Sequence, residues 1–86
     1  MSLLKAVYFA WVRERIGKSE EDIAPPAHVA TVGDLIAWLA ARGENYAYAF
    51  EKAPVIRAAI DRAHVKHDAA IAGAREIAFF PPMTGG

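Results

Sequence analysis

The residues that could most clearly take part in a reaction are Thr84-Gly85-Gly86, through the carboxyl group of Gly86. Glycine has no side chain and great conformational freedom, so a glycine pair adds nothing to a packed core. Such a segment can instead enter a narrow channel in another protein and present the carboxyl group of Gly86 there. At a glycine frequency of about 7%, a chance pair at one given place occurs in roughly 0.5% of chains. The pair therefore predicts a function for the carboxylate of Gly86.

A carboxylate is a poor electrophile until it is activated. Coupling to AMP from ATP would give Gly86 a good leaving group, and a sulfur donor could then convert the acyl-adenylate into a thiocarboxylate. None of these steps needs a catalytic side chain from this chain. The sequence agrees with that requirement, because it has no cysteine, no glycine-rich phosphate loop and no convincing acid–base pair. We therefore expect no cofactor bound by the chain itself, with ATP used by an activating partner.

The pair His64-x-x-His67 is the one motif that suggests a metal. On a strand, residues three apart point to opposite faces, and no cysteine or carboxylate supports the two imidazoles. We therefore predict no metal site and assign neither histidine a role.

Composition limits the class of protein. Eighty-six residues with 55% apolar and 23% charged side chains predict one globular domain. Ten basic residues balance ten acidic ones, which argues against a nucleic-acid partner. No apolar run approaches the 18 or so residues of a membrane span, and the first residues do not resemble a signal peptide. We expect no membrane partner and a cytoplasmic location.

The elements that position the glycine pair are predicted from periodicity. Apolar residues and their alternation predict strands at residues 3–10, 55–60, 63–67 and 75–80. The charged stretch 19–24, which ends at Pro25-Pro26, is predicted as an edge strand in a hairpin with the first strand. The clearest helix runs from Thr31 to Gly43, with a capping box at Thr31 and Asp34 and with Gly43 as its C-terminal cap. A helical turn over 11–16 and a second short helix over 45–52 are also predicted. A helix with one apolar stripe packs across a sheet, so the fold class is α+β with a mixed sheet.

The last strand determines how the glycine pair is presented. Alternation places Phe79 and Phe80 on opposite sides, so we predict that Phe80 faces a partner rather than the core. Pro81-Pro82 ends the strand, since proline cannot donate a ladder hydrogen bond, and directs the following residues outward. Phe80, Pro82 and Met83 would form an apolar collar, which predicts a protein interface.

Two stretches resemble a known family. The ending Phe79-Phe80-Pro81-Pro82-Met83-Thr84-Gly85-Gly86 and the opening Val7-Tyr8-Phe9-Ala10-Trp11-Val12-Arg13-Glu14 look like the small subunit of molybdopterin synthase. The resemblance covers essentially the whole chain. It implies a ubiquitin-like β-grasp domain over residues 1–82, with about five strands packed on one main helix, and a flexible tail over 83–86.

The resemblance also implies the chemistry and the partners. Gly86 would be adenylated by a ubiquitin-activating-like enzyme and receive sulfur from a donor protein. The tail, including Gly85, would then enter the large synthase subunit and supply sulfur to cyclic pyranopterin monophosphate, forming the molybdopterin dithiolene. Two small subunits would flank two large ones. The residues implied in partner contact are Phe9, Arg13, Phe80, Pro81, Pro82, Met83 and Thr84.

Three alternatives stay open at this stage. A thiamine-pathway sulfur carrier shares the fold and the Gly-Gly ending, but usually lacks the Phe-Phe-Pro-Pro approach. A ubiquitin-like modifier would join Gly86 to lysine side chains. A simple interaction module would leave the tail unused.

Overall fold

The computed structural model describes residues 3–82, which form a five-stranded sheet, three α-helices and one 3₁₀ helix. The elements in chain order are β1 (Leu4–Tyr8), α1 (Ala10–Ile16), β2 (Glu20–Ile23), α2 (Val32–Ala40), α3 (Glu44–Ala49), the 3₁₀ helix (Ala53–Val55), β3 (Arg57–Ile60), β4 (Ala63–Val65) and β5 (Glu76–Phe80). Across residues 3–82, no helix is long and apolar enough to cross a bilayer.

The sheet is mixed, with strand order β2-β1-β5-β3-β4. The first and last strands, β1 and β5, pair in parallel at its centre, and the other neighbours are antiparallel. The predicted α+β class and β-grasp arrangement are confirmed. The parallel central pair matters for the site, because it places the end of β1 beside the end of β5, where the chain continues toward residues 83–86.

One face of the sheet is the floor of the hydrophobic core. Leu4, Ala6 and Tyr8 of β1, with Ile77 and Phe79 of β5, are at most 6% exposed. They join the apolar stripe of α2 in one cluster. The buried residues of that helix are Val32, Leu35, Ile36 and Leu39. Because each such side chain contributes about 1.5–3 kcal/mol when buried, this cluster determines which face of β5 is inside.

The start of α2 confirms the predicted capping box. The Asp34 backbone N–H donates to Thr31 Oγ1 at 3.1 Å, and the Thr31 N–H donates to Asp34 Oδ2 at 3.2 Å. These bonds hold the pKa of Asp34 below its ordinary value, the backbone donors Ala30 and Thr31 being the main causes.

The predicted C-terminal cap of α2 is wrong. The helix ends at Ala40, and Ala41 stays in the right-handed region with its N–H bonded to the Ala37 carbonyl. The Arg42 N–H closes the last turn on the Leu39 carbonyl at 3.0 Å. No left-handed residue is needed there, and Gly43 instead begins α3 in an extended conformation.

The connection between β1 and β2 is a full helix rather than a single turn. The two strands pair antiparallel as predicted, with Leu4 opposite Ile23. The helix α1 lies between them and ends at Gly17, whose φ of 89° is the left-handed conformation that glycine adopts at low cost. It begins directly after Phe9, so this residue lies at a junction of strand and helix.

A two-residue turn joins β3 to β4. Asp61 and Arg62 both have positive φ, 47° and 73°, as in the type I′ turns that match the twist of a hairpin. The Asp61 carboxylate accepts hydrogen bonds from the N–H groups of Arg75 and Glu76 at 3.1 and 3.0 Å. This contact fixes the start of β5 against the hairpin.

Candidate functional site

The sheet face that points away from the core is the candidate site, and we call it the open face. Its members follow from the strand register, which pairs Val7 with Ala78, Ala78 with Ala59, Ala59 with His64, and Phe80 with Arg57. The part of the open face considered as the site consists of Val7, Phe9, Arg57, Ala59, His64, Ala78 and Phe80. The register places the charged residues Lys5, Glu20, Asp22 and Glu76 on the same side of the sheet. The centre of the open face is apolar, and in residues 3–82 no helix is packed over it, since the core cluster draws on the other face.

Phe80 lies on the open face, as predicted. Phe79 is fully buried, whereas Phe80 is half-buried. The imidazole of His64 lies against the Phe80 ring with centroids 5.2 Å apart. Neighbours on the sheet therefore support the ring from the side and leave part of it uncovered. Its role in partner binding stays a prediction.

Phe9 extends the open face beyond the end of β1. Its N–H donates to the Phe79 carbonyl at 3.1 Å, which continues the parallel ladder by one residue and brings Phe9 beside Phe80. Its side chain is 49% exposed, one of four large apolar residues in 3–82 with such exposure. Arg13 is exposed one helical turn later on α1, and no ion pair joins it to another described residue.

The strand β5 ends at Phe80, and Pro81-Pro82 follow outside the ladder, as predicted. Both prolines are half-buried, and Pro82 forms part of the wall of a groove beside the β3–β4 hairpin. The predicted roles of Met83, Thr84, Gly85 and Gly86 concern residues outside the described range and stay predictions.

The two histidines have separate surroundings. His64 belongs to the open face, whereas His67 lies beyond the end of β4 and its Nε2 is 2.6 Å from the Ile56 carbonyl oxygen. The His67 carbonyl also accepts the Gly33 N–H at 2.8 Å, near the start of α2. Within residues 3–82, no group of three or more potential ligands could hold a metal ion.

A polar network around Glu21 was not predicted from the sequence. Glu21 Oε2 accepts hydrogen bonds from the hydroxyl groups of Tyr8 at 2.8 Å and Tyr46 at 2.6 Å. Its other oxygen lies 3.3 Å from Lys18 Nζ and 3.4 Å from Arg42 Nη1. The carboxylate therefore joins β1, β2 and α3 at the border of the core. The charged run 18–23 in the sequence gave no sign of which carboxylate turns inward.

The network changes the titration of its members. Burial alone would raise the pKa of Glu21, but the hydrogen bonds from Tyr46 and Tyr8 and the charge of Arg42 outweigh burial and lower it. Burial, followed by the hydrogen bond to Glu21, raises the pKa of Tyr8 and of Tyr46. Glu21 is thus an anion at neutral pH with both phenols protonated, which describes a structural clamp rather than an acid–base pair.

The fold and the open face define a ubiquitin-like β-grasp protein, and comparison with known proteins agrees. The solved structure of molybdopterin converting factor subunit 1 from Pyrococcus furiosus superposes with a TM-score of 0.73 at 26% identity, covering 96% of this chain and 100% of that one. SAMP1 from Haloferax volcanii superposes with a TM-score of 0.72 at 23% identity, covering 99% and 100%. The latter likeness establishes the fold alone.

Comparison with proteins of similar sequence indicates the family more specifically than comparison of folds does. The molybdopterin synthase sulfur carrier subunit of Escherichia coli (strain K12) is 36% identical over 84 residues, which cover 98% of this chain and 100% of that protein. The protein of the same name from Haemophilus influenzae is 35% identical over 88 residues, with the same coverage. The ThiS family matches residues 6–86. The chain belongs to the ThiS family.

Proposed function

We propose that this protein is the sulfur carrier subunit of a molybdopterin synthase. The observation that carries the proposal is the 36% identity to the Escherichia coli sulfur carrier subunit across the whole of that protein. The family match extends through residue 86 and so includes Gly85 and Gly86. The large synthase subunit is then the main partner, and the open face is the surface it would cover.

The proposed chemistry takes place at the carboxylate of Gly86. One carboxylate oxygen attacks the α-phosphorus of ATP in an activating enzyme, and pyrophosphate leaves. Sulfur at the sulfide level from a donor protein then displaces AMP and leaves a thiocarboxylate. In the large subunit the thiocarboxylate sulfur bonds to a side-chain carbon of cyclic pyranopterin monophosphate, an oxygen substituent leaves that carbon, and a thioester links Gly86 to the pterin. Water then hydrolyses the acyl–sulfur bond, which leaves the sulfur on the pterin and returns Gly86 to a carboxylate. Two such transfers supply both sulfurs of the dithiolene.

The division of labour follows from what this chain contains. Its described polar cluster, around Glu21, is fully engaged in holding the fold together. Catalytic groups therefore belong to the partners, and this chain contributes a docking surface and a reactive end. A tetramer of two small and two large subunits would provide one carrier for each active site.

Intact mass measurement tests the proposal. The protein is incubated with ATP, a ubiquitin-activating-like enzyme and a sulfide source, and we expect a gain equal to the mass difference between sulfur and oxygen. Deleting Gly86 or adding one residue after it should abolish the gain. Gly85→Val should do the same by blocking the channel, because its branched side chain cannot pass where glycine does, with Gly85→Ala as the conservative control.

The alternatives give different products. High-mass ladders joined through lysine would identify a protein modifier and would overturn the sulfur-carrier proposal. A thiamine-type carrier would form the thiocarboxylate but fail to produce dithiolene with the large synthase subunit. An unused tail would show no mass change at all, and deletion of Gly86 would leave partner binding and function intact.

A further inference from the structure

We infer that the groove beside Pro82 is a docking subsite for an acidic segment of the large synthase subunit, an inference that rests on the proposed function. We call it the cationic groove. It lies between the 3₁₀ helix and the β3–β4 hairpin. Its lining includes Val55, Arg57, Val65, Lys66, His67 and Pro82.

The groove has cationic side chains and no acidic residue in its lining. Arg57 and Lys66 are exposed, and neither forms an ion pair with any residue in 3–82. Four of the ten cations are paired with glutamates at 3.3–3.6 Å, namely Lys5, Arg15, Lys18 and Arg42. Arg13, Lys52, Arg62 and Arg75 also form no ion pair in residues 3–82, but none of them lines this groove. Two uncompensated cations side by side at one groove favour an anionic partner group.

The two edges of the sheet differ in how their charges are balanced. At the edge strand β2, Glu20 is paired with Lys5, and Glu21 with Lys18 and Arg42. The cationic groove lies at the opposite edge, next to β4, and has no acidic residue in its lining. The chain as a whole has no net charge. In a neutral protein, uncompensated cations at one edge of the sheet orient an approaching anionic partner rather than merely attracting it.

The position of the groove connects it to the tail. Pro82 lies in its wall, and the four residues 83–86 span at most about 14 Å when extended. Arg57 belongs to both the groove and the open face, where it is paired with Phe80. A subunit that covers Phe80 therefore comes next to the groove, because Arg57 belongs to both surfaces. The subsite adjoins Pro82, the last residue that the structure describes.

The lining also indicates the shape of the partner segment. Val55 is 41% exposed, and together with Val65 and Pro82 it adds apolar surface to a lining that also contains cations. The His67 ring is held in place by its contact with the Ile56 carbonyl. The matching segment therefore carries a carboxylate next to an apolar side chain.

The test compares charge reversals in and near the groove. The double variant Arg57→Glu/Lys66→Glu and the control Arg62→Glu are titrated with the large subunit at low and physiological salt. Arg62 is exposed on the neighbouring turn and does not line the groove. We expect the double variant to bind about tenfold or more weakly at low salt and to lose most of its salt dependence. The control should change affinity by less than about threefold.

Several outcomes would overturn the inference. Unchanged affinity of the double variant would do so, as would an equal loss for Arg62→Glu, which would mean that net charge alone acts. Loss of binding to the activating enzyme without loss to the large subunit would assign the groove to another occupant. Thermal melting shows whether the variants are folded, and Arg57→Gln/Lys66→Gln repeats the test without reversed charges. Failure of the wild-type protein to bind the large subunit or to gain sulfur would instead refute the proposed function.

Discussion

The two faces of β5 differ in what they do although they belong to the same five residues. Ile77 and Phe79 point inward and are fully buried, and the Phe79 ring packs edge-on against Phe50 at 5.4 Å. Ala78 and Phe80 point outward and are half-buried, with His64 beside the Phe80 ring. The inner face of β5 is fully packed against other apolar side chains, whereas part of the apolar surface on its outer face is exposed.

The difference shows how a small domain can keep the residues that stabilise it apart from the surface proposed here for partner binding. Side chains at i and i+2 share a face, so a single strand can contribute to both tasks without compromise between them. A chain of 86 residues has little core to spare, and its stability depends on the inner face. Substitutions on the two faces should therefore have different consequences.

The largest effect is expected for Phe79→Ala. Removing a fully buried ring costs about 3–5 kcal/mol, a large part of the roughly 5–15 kcal/mol that stabilises a domain. Chemical denaturation measures the loss. Phe80→Ala is the matched control on the same strand and should cost less than about 1 kcal/mol. Equal losses for the two variants would refute the distinction between the faces.

Glu21→Gln tests how much the charged carboxylate at the edge of the core contributes to stability. It should lower the free energy of unfolding by about 1–3 kcal/mol at neutral pH, because two buried phenols donate to the charged carboxylate. The folded pKa of Glu21 is lowered, so its contribution is complete above the ordinary glutamate pKa of about 4.3 and is lost as the pH falls through the folded value. The gap between wild type and variant should therefore narrow in acid. Glu20→Gln, at an exposed ion pair, should show neither effect.

Phe80→Ala should act mainly on binding. Loss of a central aromatic anchor typically costs more than 1 kcal/mol at an interface, so the Kd for the large subunit should rise about tenfold. Calorimetric titration gives the value. Tyr48→Ala removes an exposed aromatic from α3, on the helical side of the molecule, and should leave the Kd unchanged. A comparable loss for Tyr48→Ala would move the interface off the sheet.

The smallest effect is expected for His64→Ala, which locates the border of the open face. The imidazole supports the Phe80 ring at the border of the open face, so we expect a loss of about 0.5 kcal/mol of binding free energy, the lower end of the range for such aromatic pairs. The Kd should then rise about twofold with a normal melting temperature. His28→Ala, at an exposed loop position, is the control. If His64→Ala binds as wild type, the interface ends at β5 and does not extend to β4.

Much of the fold was predictable because its signals are local. Alternation in β5 assigned Phe79 to the core and Phe80 to the other side, and both assignments are confirmed. The stripe of α2 and the Thr31–Asp34 box depend on residues three or four apart, within the reach of a sequence pattern. Gly43 misled because a glycine after a helix can also begin the next one, and the chain here uses it for α3.

The sequence by itself determined the two faces of β5, the main helix and the Gly85-Gly86 segment, since periodicity and composition act over a few residues. The tertiary structure alone decided that Glu21 meets Tyr8 and Tyr46, and that Arg57 and Lys66 share a groove with Pro82. Glu21 is 13 positions from Tyr8 and 25 positions from Tyr46 in the sequence, so their contact depends on the order of the strands in the sheet. No local pattern specifies which distant side chains a sheet brings together, because that is fixed by the burial of all its strands at once.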